Sequence, residues 1–600
     1  MGTSLRALRA LVLLAGFYLL VLTVLGVLVG AAVAAWVWAS LAVALKVSVV
    51  VALLGFPLLR GVCTLGASER GGAAGLPVTE DEQPELWRTV RSLAERSGTR
   101  APDEIVLIGE VNAAVSEDSR LLGLLPGRRR LYLGVPLLIG LTEPQLRSVI
   151  VHELGHYGNA DTRLAGITLR GRDCVIRTVE AFRERERHRI DKARSRQEKA
   201  AAKAVGKGKR PRSRKVNTRG AGFGYRVMGK PFQAYARFYL RATHSVGRQQ
   251  ELAADRVAAA VAGRDATASA LRETAVLDAA HDFYLARYAM LGVQVGLLPP
   301  RGELFGGLRH LLTDPERRSG LAEMRDELPP GEASPYDSHP PVAERVRLVE
   351  ALPDDGLAAP SSRPALVLLC DAEQVLTELE AAVLTPEARD WERVDWPELT
   401  HRAMHALAES AAEPLRTALA SAGTSARIPA RIPAGIPTET PAGTPAGTPA
   451  GTAAGASPSS ASPGAAVGAA AGAPSSASAD LTALLDAADE GRLWLIADHL
   501  PKSLEAARAS GRAAREFLRP ALESGMDRLA ELALVERAGA RWALSWSERA
   551  RLLLPGAEDV EEAVTAAVRA TTAAEPDTGP LRTLLAHPPH ATAFPDRHPV

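Results

Sequence analysis

The chain opens on an apolar block. From Ala10 to Leu45, 36 residues pass without a charge; Lys46 interrupts, and the apolar run resumes to Leu59. A bilayer core about 30 Å thick takes about 20 helical residues, so the block is too long for one span and suits two. Gly30 and the Ala-rich stretch after it are the expected turn, with Trp36 and Trp38 at the interface. Lys46 falls inside the second span, where it must snorkel or face the other helix. Arg6 and Arg9, an apolar stretch and Ala32-Val33-Ala34 also read as a signal peptide, but the apolar part far exceeds the usual 7–15 residues and a second run follows at once. Arg6 and Arg9 precede the hairpin, Arg60 and Arg70 follow it, and its turn is without a basic residue, so both ends are expected in the cytoplasm.

Beyond the block the pattern alternates. Glu80–Ser97 reads as a helix with Leu86, Val90, Leu93 and Ala94 on one face. Glu104–Ile108 and Arg130–Leu133 read as strands. Thr142-Glu143-Pro144-Gln145 is a helix start, with Thr at the N-cap, Pro in the first turn and Gln at the capping-box position. That helix is expected to reach about Asn159. Helical periodicity returns near Phe232 and stops at Gly263, a C-cap residue. The 481–570 stretch is helical in pattern, with a short hairpin expected about Ala538-Gly539.

Composition changes the picture in three places. Lys+Arg (71) and Asp+Glu (69) nearly balance, so no bulk charge points to nucleic acid. The balance hides a segregation: Arg163 to Arg248 holds 25 Lys/Arg against six Asp/Glu. Its middle, Glu198 to Arg219, has almost no large apolar residue and is expected as frayed helix and loop. From Ile436 to Ala479, 41 of 44 positions are Ala, Gly, Pro, Ser or Thr, a composition that cannot bury a core and reads as a linker. Three cysteines, Cys63, Cys174 and Cys370, exclude a disulfide framework and a Cys-x-x-Cys zinc module. The expected organisation is a transmembrane hairpin (1–66), a main domain (67–355) with a basic insert at about 170–225, a helical extension (356–425), the linker (426–479) and a mostly helical C-terminal region (480–600).

The chemistry concentrates in His152-Glu153-Leu154-Gly155-His156, on the helix that Thr142 opens. Four residues make about one turn, so both imidazoles leave one face and can share one Zn²⁺. Glu153 is placed to take a proton from water at the metal's open position. A catalytic zinc wants a third protein ligand. The best candidate is Glu251 in Glu251-Leu252-Ala253-Ala254-Asp255. Asp255, one turn on, shares its face and is placed to accept a hydrogen bond from the far nitrogen of a ligand histidine. His401 and His405 also have turn spacing but no acid neighbour, and read as a solvated helix face. His244 reads as a packing residue.

Four stretches carry a resemblance to the membrane-bound zinc metallopeptidases of the HtpX type, gluzincins related to the CAAX prenyl proteases. They are Asn112-Ala113-Ala114-Val115, His152–His156 with Asn159-Ala160-Asp161, Glu251–Asp255, and Ser338-His339-Pro340-Pro341 with Arg345. The resemblance implies that His152, His156 and Glu251 bind one zinc per chain and that Glu153 is the base. It further implies that Asn112 holds substrate backbone on an edge strand, and that His339 or Arg345 binds substrate or steadies the oxyanion. The implied fold is mainly α with a small β-sheet, an α+β zincin-type domain behind a transmembrane helical hairpin. One feature departs from the family: HtpX itself has further transmembrane helices between the zinc helix and the third ligand, whereas this interval is basic and lacks an apolar run near 18 residues. A polybasic stretch there suits an anionic leaflet.

The expected function is a membrane-anchored zinc endopeptidase, multi-pass in the cell membrane with its catalytic domain cytoplasmic, serving in membrane protein quality control. Its partners are a peptide or protein substrate, the lipid bilayer and a protein partner for the C-terminal region, and not nucleic acid. The alternative is a non-catalytic membrane scaffold or sensor that keeps the fold.

Overall fold

The computed structural model describes residues 3–63, 74–117, 127–156, 161–205, 222–328, 340–353, 362–425, 476–502, 509, 511–554 and 560–587. The chain divides into two compact units, Met1–Asp395 and Trp396–Val600.

The first unit begins with α1 (Thr3–Trp38) and α2 (Leu41–Cys63). The break between them falls at Ala39-Ser40, not at Gly30, which sits inside α1. One glycine amid strong apolar helix formers does not end a helix, whereas Ser40 is a favoured residue just before one. Val12–Trp38 is long and apolar enough to cross a membrane, and Leu41–Phe56 is a shorter apolar helix.

A four-stranded sheet follows, from β1 (Gly75–Val78), β2 (Glu104–Ile108), β3 (Ala113–Glu117) and β4 (Arg129–Gly134), in the order β1-β2-β4-β3. β2 and β4 run parallel in the centre; β1 and β3 are antiparallel edges. The central strand β2 buries Ile105, Val106, Leu107 and Ile108 in succession, as a strand covered on both faces must. Between β1 and β2 lies α3 (Pro84–Arg96), which buries Leu86, Val90, Leu93 and Ala94. It starts later than Glu80 because Glu82 accepts from the Thr79 amide at 2.8 Å and closes a turn ahead of Pro84.

After α4 (Val135–Gly140) comes α5 (Glu143–Gly155), which carries the paired histidines. Thr142 caps it as expected: Gln145 Oε1 accepts from the Thr142 amide at 2.8 Å and hydroxyl at 3.0 Å. α6 (Asp161–Val205) is one long helix, so the basic insert is helical through Val205; residues 206–221 lie outside the described ones. α7 (Phe223–Ala262) begins nine residues before Phe232 and ends at Gly263, whose φ of 109° suits glycine. α8 (Arg264–Tyr284) packs on α5, with Gln145 Nε2 to Ser269 Oγ at 2.7 Å and Ser148 Oγ to Thr267 Oγ1 at 2.9 Å.

Short helices α9 (Glu303–Gly306), α10 (Leu308–Thr313) and α11 (Pro315–Asp326) lead to α12 (Val342–Glu350). The latter lies on α7 and α8 through Val346, Val349, Ala259 and Ala268. Residues 362–370 then strap the start of α5. The Arg363 carbonyl accepts from the Glu143 amide at 2.8 Å, and its guanidinium pairs with Glu143 at 3.1 Å. Gln83 brackets Cys370 with two bonds, at 2.7 and 3.0 Å.

Among the described residues, the second unit is helical with one small hairpin. Ala408, Ala412, Leu415 and Ala418, in the helix Trp396–Ser425, share a core with Leu481, Leu485, Leu522, Met526, Leu529 and Val568. The expected extension 356–425 is thus divided between the units. The expected hairpin about Ala538-Gly539 lies further on. Its helix runs from Gly511 to Ala538, stops at Gly539 (φ 66°), and strands Arg541–Ala543 and Arg551–Leu553 pair.

Candidate metal centre

α5 and α7 cross closely because the contact is made of small residues. A Cβ placed on Gly155 would lie 3.4 Å from the Cα of Ala254. Ala254 is flanked on α7 by Glu251 and Asp255, so the same crossing brings both carboxylates to the histidines of α5.

Both imidazoles turn Nε2 toward one carboxylate. His152 Nε2 lies 3.5 Å from Glu251 Oε2, and His156 Nε2 lies 3.7 Å from Glu251 Oε1. Ligands on a tetrahedral zinc with bonds of about 2.0–2.1 Å are separated by about 3.4 Å. Each of the two spacings, made to different oxygens of Glu251, is close to that separation. The far nitrogen of His152, Nδ1, lies 3.0 Å from Asp255 Oδ1, the carboxylate–histidine pairing that fixes a ligand's tautomer and orientation. Asp255 is in turn held by Arg345 of α12, Nε to Oδ2 at 2.9 Å and Nη2 to Oδ1 at 2.7 Å. Glu153 stands beside the pair; ligand atoms of His152, Glu153 and His156 lie within 4.8 Å of one another, a second donor set from the same turn.

Electrostatics follow from this packing. Burial works against a charge on His152, but Asp255 and Glu251, aided by Glu153, outweigh it and raise its pKa to about 9. Burial would raise Asp255, yet the hydrogen bonds from Arg345 and His152 bring it below its ordinary value. The same carboxylate lifts Arg345 above its ordinary value despite burial.

The other expected residues are placed as follows. Asn112 is exposed at the head of the edge strand β3, and its carbonyl accepts from the Gly134 amide at 2.8 Å. β3 lies beside α5. Arg345 is buried, with its guanidinium on Asp255 and Nη2 3.4 Å from the His152 ring nitrogens. His339, Asn159, Ala160 and the side chains of Asp161 and His244 lie outside the described residues. Sequence reasoning missed the Arg345–Asp255 pair, and missed Arg248 of α7 paired with Glu344 of α12, which anchors the same helix. The available signal was an Arg and a Glu one residue apart on a short helix following the Pro-Pro pair, opposite a helix rich in complementary charge.

Residues 80–352 match the family model described as Peptidase family M48. This stretch is a peptidase family M48 domain. Over that stretch the chain is similar to the peptidases of this family, in keeping with the resemblance carried by the four motifs. No curated protein matches the chain. Among solved structures it is similar to "Crystal Structure of S. mikatae Ste24p", with 13% identity over 50% of this chain and a TM-score of 0.25. A score this low does not describe this chain's shape, and the chain spans 58% of that protein's length.

Proposed function

We propose that the first unit is a zinc-dependent endopeptidase that cuts protein substrates at the membrane surface, in the quality control of membrane proteins. The observation that carries this reading is the convergence of His152 and His156 Nε2 on the Glu251 carboxylate, at 3.5 and 3.7 Å. One zinc ion would be held by His152, His156 and Glu251, with Asp255 orienting His152 and Arg345 fixing Asp255. Bound there, zinc supplies an acidified water and polarises a peptide carbonyl.

Glu153 accepts the water's proton and returns it to the departing amine. An extended peptide adds as a strand alongside the edge strand β3, with Asn112 at its head engaging substrate backbone. His339 contacts substrate or the developing oxyanion. The α1–α2 hairpin anchors the chain in the cell membrane, with both its ends and the peptidase unit on the cytoplasmic side. The second unit serves a protein partner.

The test is cleavage of an unfolded model protein by wild-type chain and Glu153→Gln, with zinc measured in both. The expected result is about one zinc in each and cleavage reduced by at least about 100-fold in the variant. Undiminished cleavage removes Glu153 as base. A carefully purified wild-type chain that holds no metal and cuts nothing favours the scaffold reading instead.

A further inference from the structure

α1 from Ala10 and α2 to Leu59 are apolar except for Lys46, but protein covers only part of that length. Near its start, α1 is clasped by α6 and α7. Phe17 and Val21 are 0% and 1% exposed, packed with Val175, Val179, Phe182, Phe232 and Tyr239. The Tyr235 hydroxyl donates to the Leu13 carbonyl at 2.6 Å. On α2, Leu58 is buried and Tyr225 donates to the Leu53 carbonyl at 3.3 Å.

The clasp ends where Arg185 sits over the Phe56 ring, 5.1 Å from its centroid, and where Leu25 meets Gly55. Past that level protein covers little of the hairpin, although Leu28 still packs on the clasp and Ala44 is buried. Val27, Val33, Trp36, Trp38, Leu41 and Val49 are all more than half exposed.

The clasped half cannot sit in a hydrocarbon core. Its outer faces carry Arg177, Glu180, Arg183 and Glu184 of α6 and Arg226, Lys230 and Arg237 of α7, all exposed. Each would have to give up water. The bare tip has Lys46 as its one charge, on a stem long enough to snorkel. Val27–Trp38 is about 18 Å of helix, against a core of about 30 Å.

At the boundary α6 presents a basic run, with seven Lys/Arg against three Asp/Glu from Arg183 to Arg196. Most of these, Arg187 and Arg189 among them, are exposed.

We propose that the hairpin enters an anionic leaflet by its tip, roughly residues 26–52, without crossing the bilayer, while the basic run of α6 lies on the headgroups. This rests on the membrane anchoring proposed above and replaces the two full crossings that the apolar length suggests. The length is there, but α6 and α7 occupy half of it.

The experiment uses the full chain with its three native cysteines replaced by alanine, in sealed vesicles of phosphatidylcholine and phosphatidylglycerol, and a membrane-impermeant maleimide. Ser319→Cys, on exposed α11, marks the side of the peptidase unit. Ser40→Cys, at the tip, is expected to stay unlabelled from both sides and to react only after detergent. Labelling of Ser40→Cys from the face opposite Ser319→Cys shows a full crossing and overturns the proposal while leaving the membrane anchor standing. Labelling from the same face overturns both. Flotation supplies the charge test: Arg187→Gln with Arg189→Gln is expected to weaken binding to the anionic vesicles by about fivefold per charge removed. Equal capture by pure phosphatidylcholine overturns the headgroup contact.

Discussion

Arg345 grips Asp255 at two points, 2.9 and 2.7 Å, ninety residues apart in the chain. Asp255 is 2% exposed and also faces His152 Nδ1. Removing the guanidinium leaves a buried carboxylate without its main counter-charge. Arg345→Ala is expected to cost about 3–5 kcal/mol of stability, read by denaturant unfolding, and to weaken zinc binding by about 10–100-fold. Arg345→Lys keeps the charge but not the two-point geometry and should fall between. Wild-type stability in Arg345→Ala would dismiss the pair as a structural element.

Two carboxylates compete for the third ligand position. Glu251 faces both Nε2 atoms, while Glu153 shares the turn with the histidines. Glu251→Ala is expected to purify without zinc, and Glu153→Gln with it. Chelation should lower the unfolding midpoint of Glu153→Gln and leave that of Glu251→Ala unmoved. The reverse pattern in elemental analysis would exchange the two roles.

Gly134 guards the entry to the edge strand. A Cβ there would lie 2.1 Å from the Glu110 carbonyl oxygen and 2.8 Å from that of Asn112, both backbone atoms. Gly134→Ala must therefore shift the segment bearing Asn112. The expected cost is about 1–3 kcal/mol, with KM for a peptide substrate raised more than kcat is lowered, since the turn on α5 that carries the histidines is not displaced. Unchanged KM would separate Asn112 from substrate binding.

In the second unit, burial raises Glu531 to about 7, outweighing Arg528 at 2.7 Å, and raises Asp527 to about 6. The folded chain then keeps protons that the unfolded chain releases above the ordinary value of 4.5 for Glu531. Stability of this unit is therefore greatest at the acid end of that window, falls as pH rises from about 4.5 to about 7, and levels off above. Glu531 alone contributes a slope of at most about 1.4 kcal/mol per pH unit. Unfolding midpoints across that range should show the fall, and Glu531→Gln should reduce it; an equal slope in the variant would assign it elsewhere.

Much of this was legible in the sequence because the signals were local. Glu104–Ile108 is a strand to the residue, Thr142 and Gln145 do cap α5, and Gly263 does end α7. The meeting of α5 and α7 was legible only through motifs, since no periodicity tells which helices cross. Three features were out of reach for physical reasons. An all-apolar stretch holds no internal mark of its turn, so Ser40 was passed over for Gly30. A basic stretch such as α6 looks solvated until the helices it packs on are known. The core that joins Ala412 and Leu415 to Leu481 spans a low-complexity segment, which sequence reading treats as a boundary.

The strap formed by Arg363 and Cys370 lies past residue 352, where the family match ends. A chain stopped at Leu352 would keep every donor of the metal centre and still lose the carbonyl that receives the first amide of α5, along with the brace on Gln83. The family likeness and the mechanical footing of the centre therefore end at different places, and a shortened chain drawn to the family's limits would lack that brace at the start of α5.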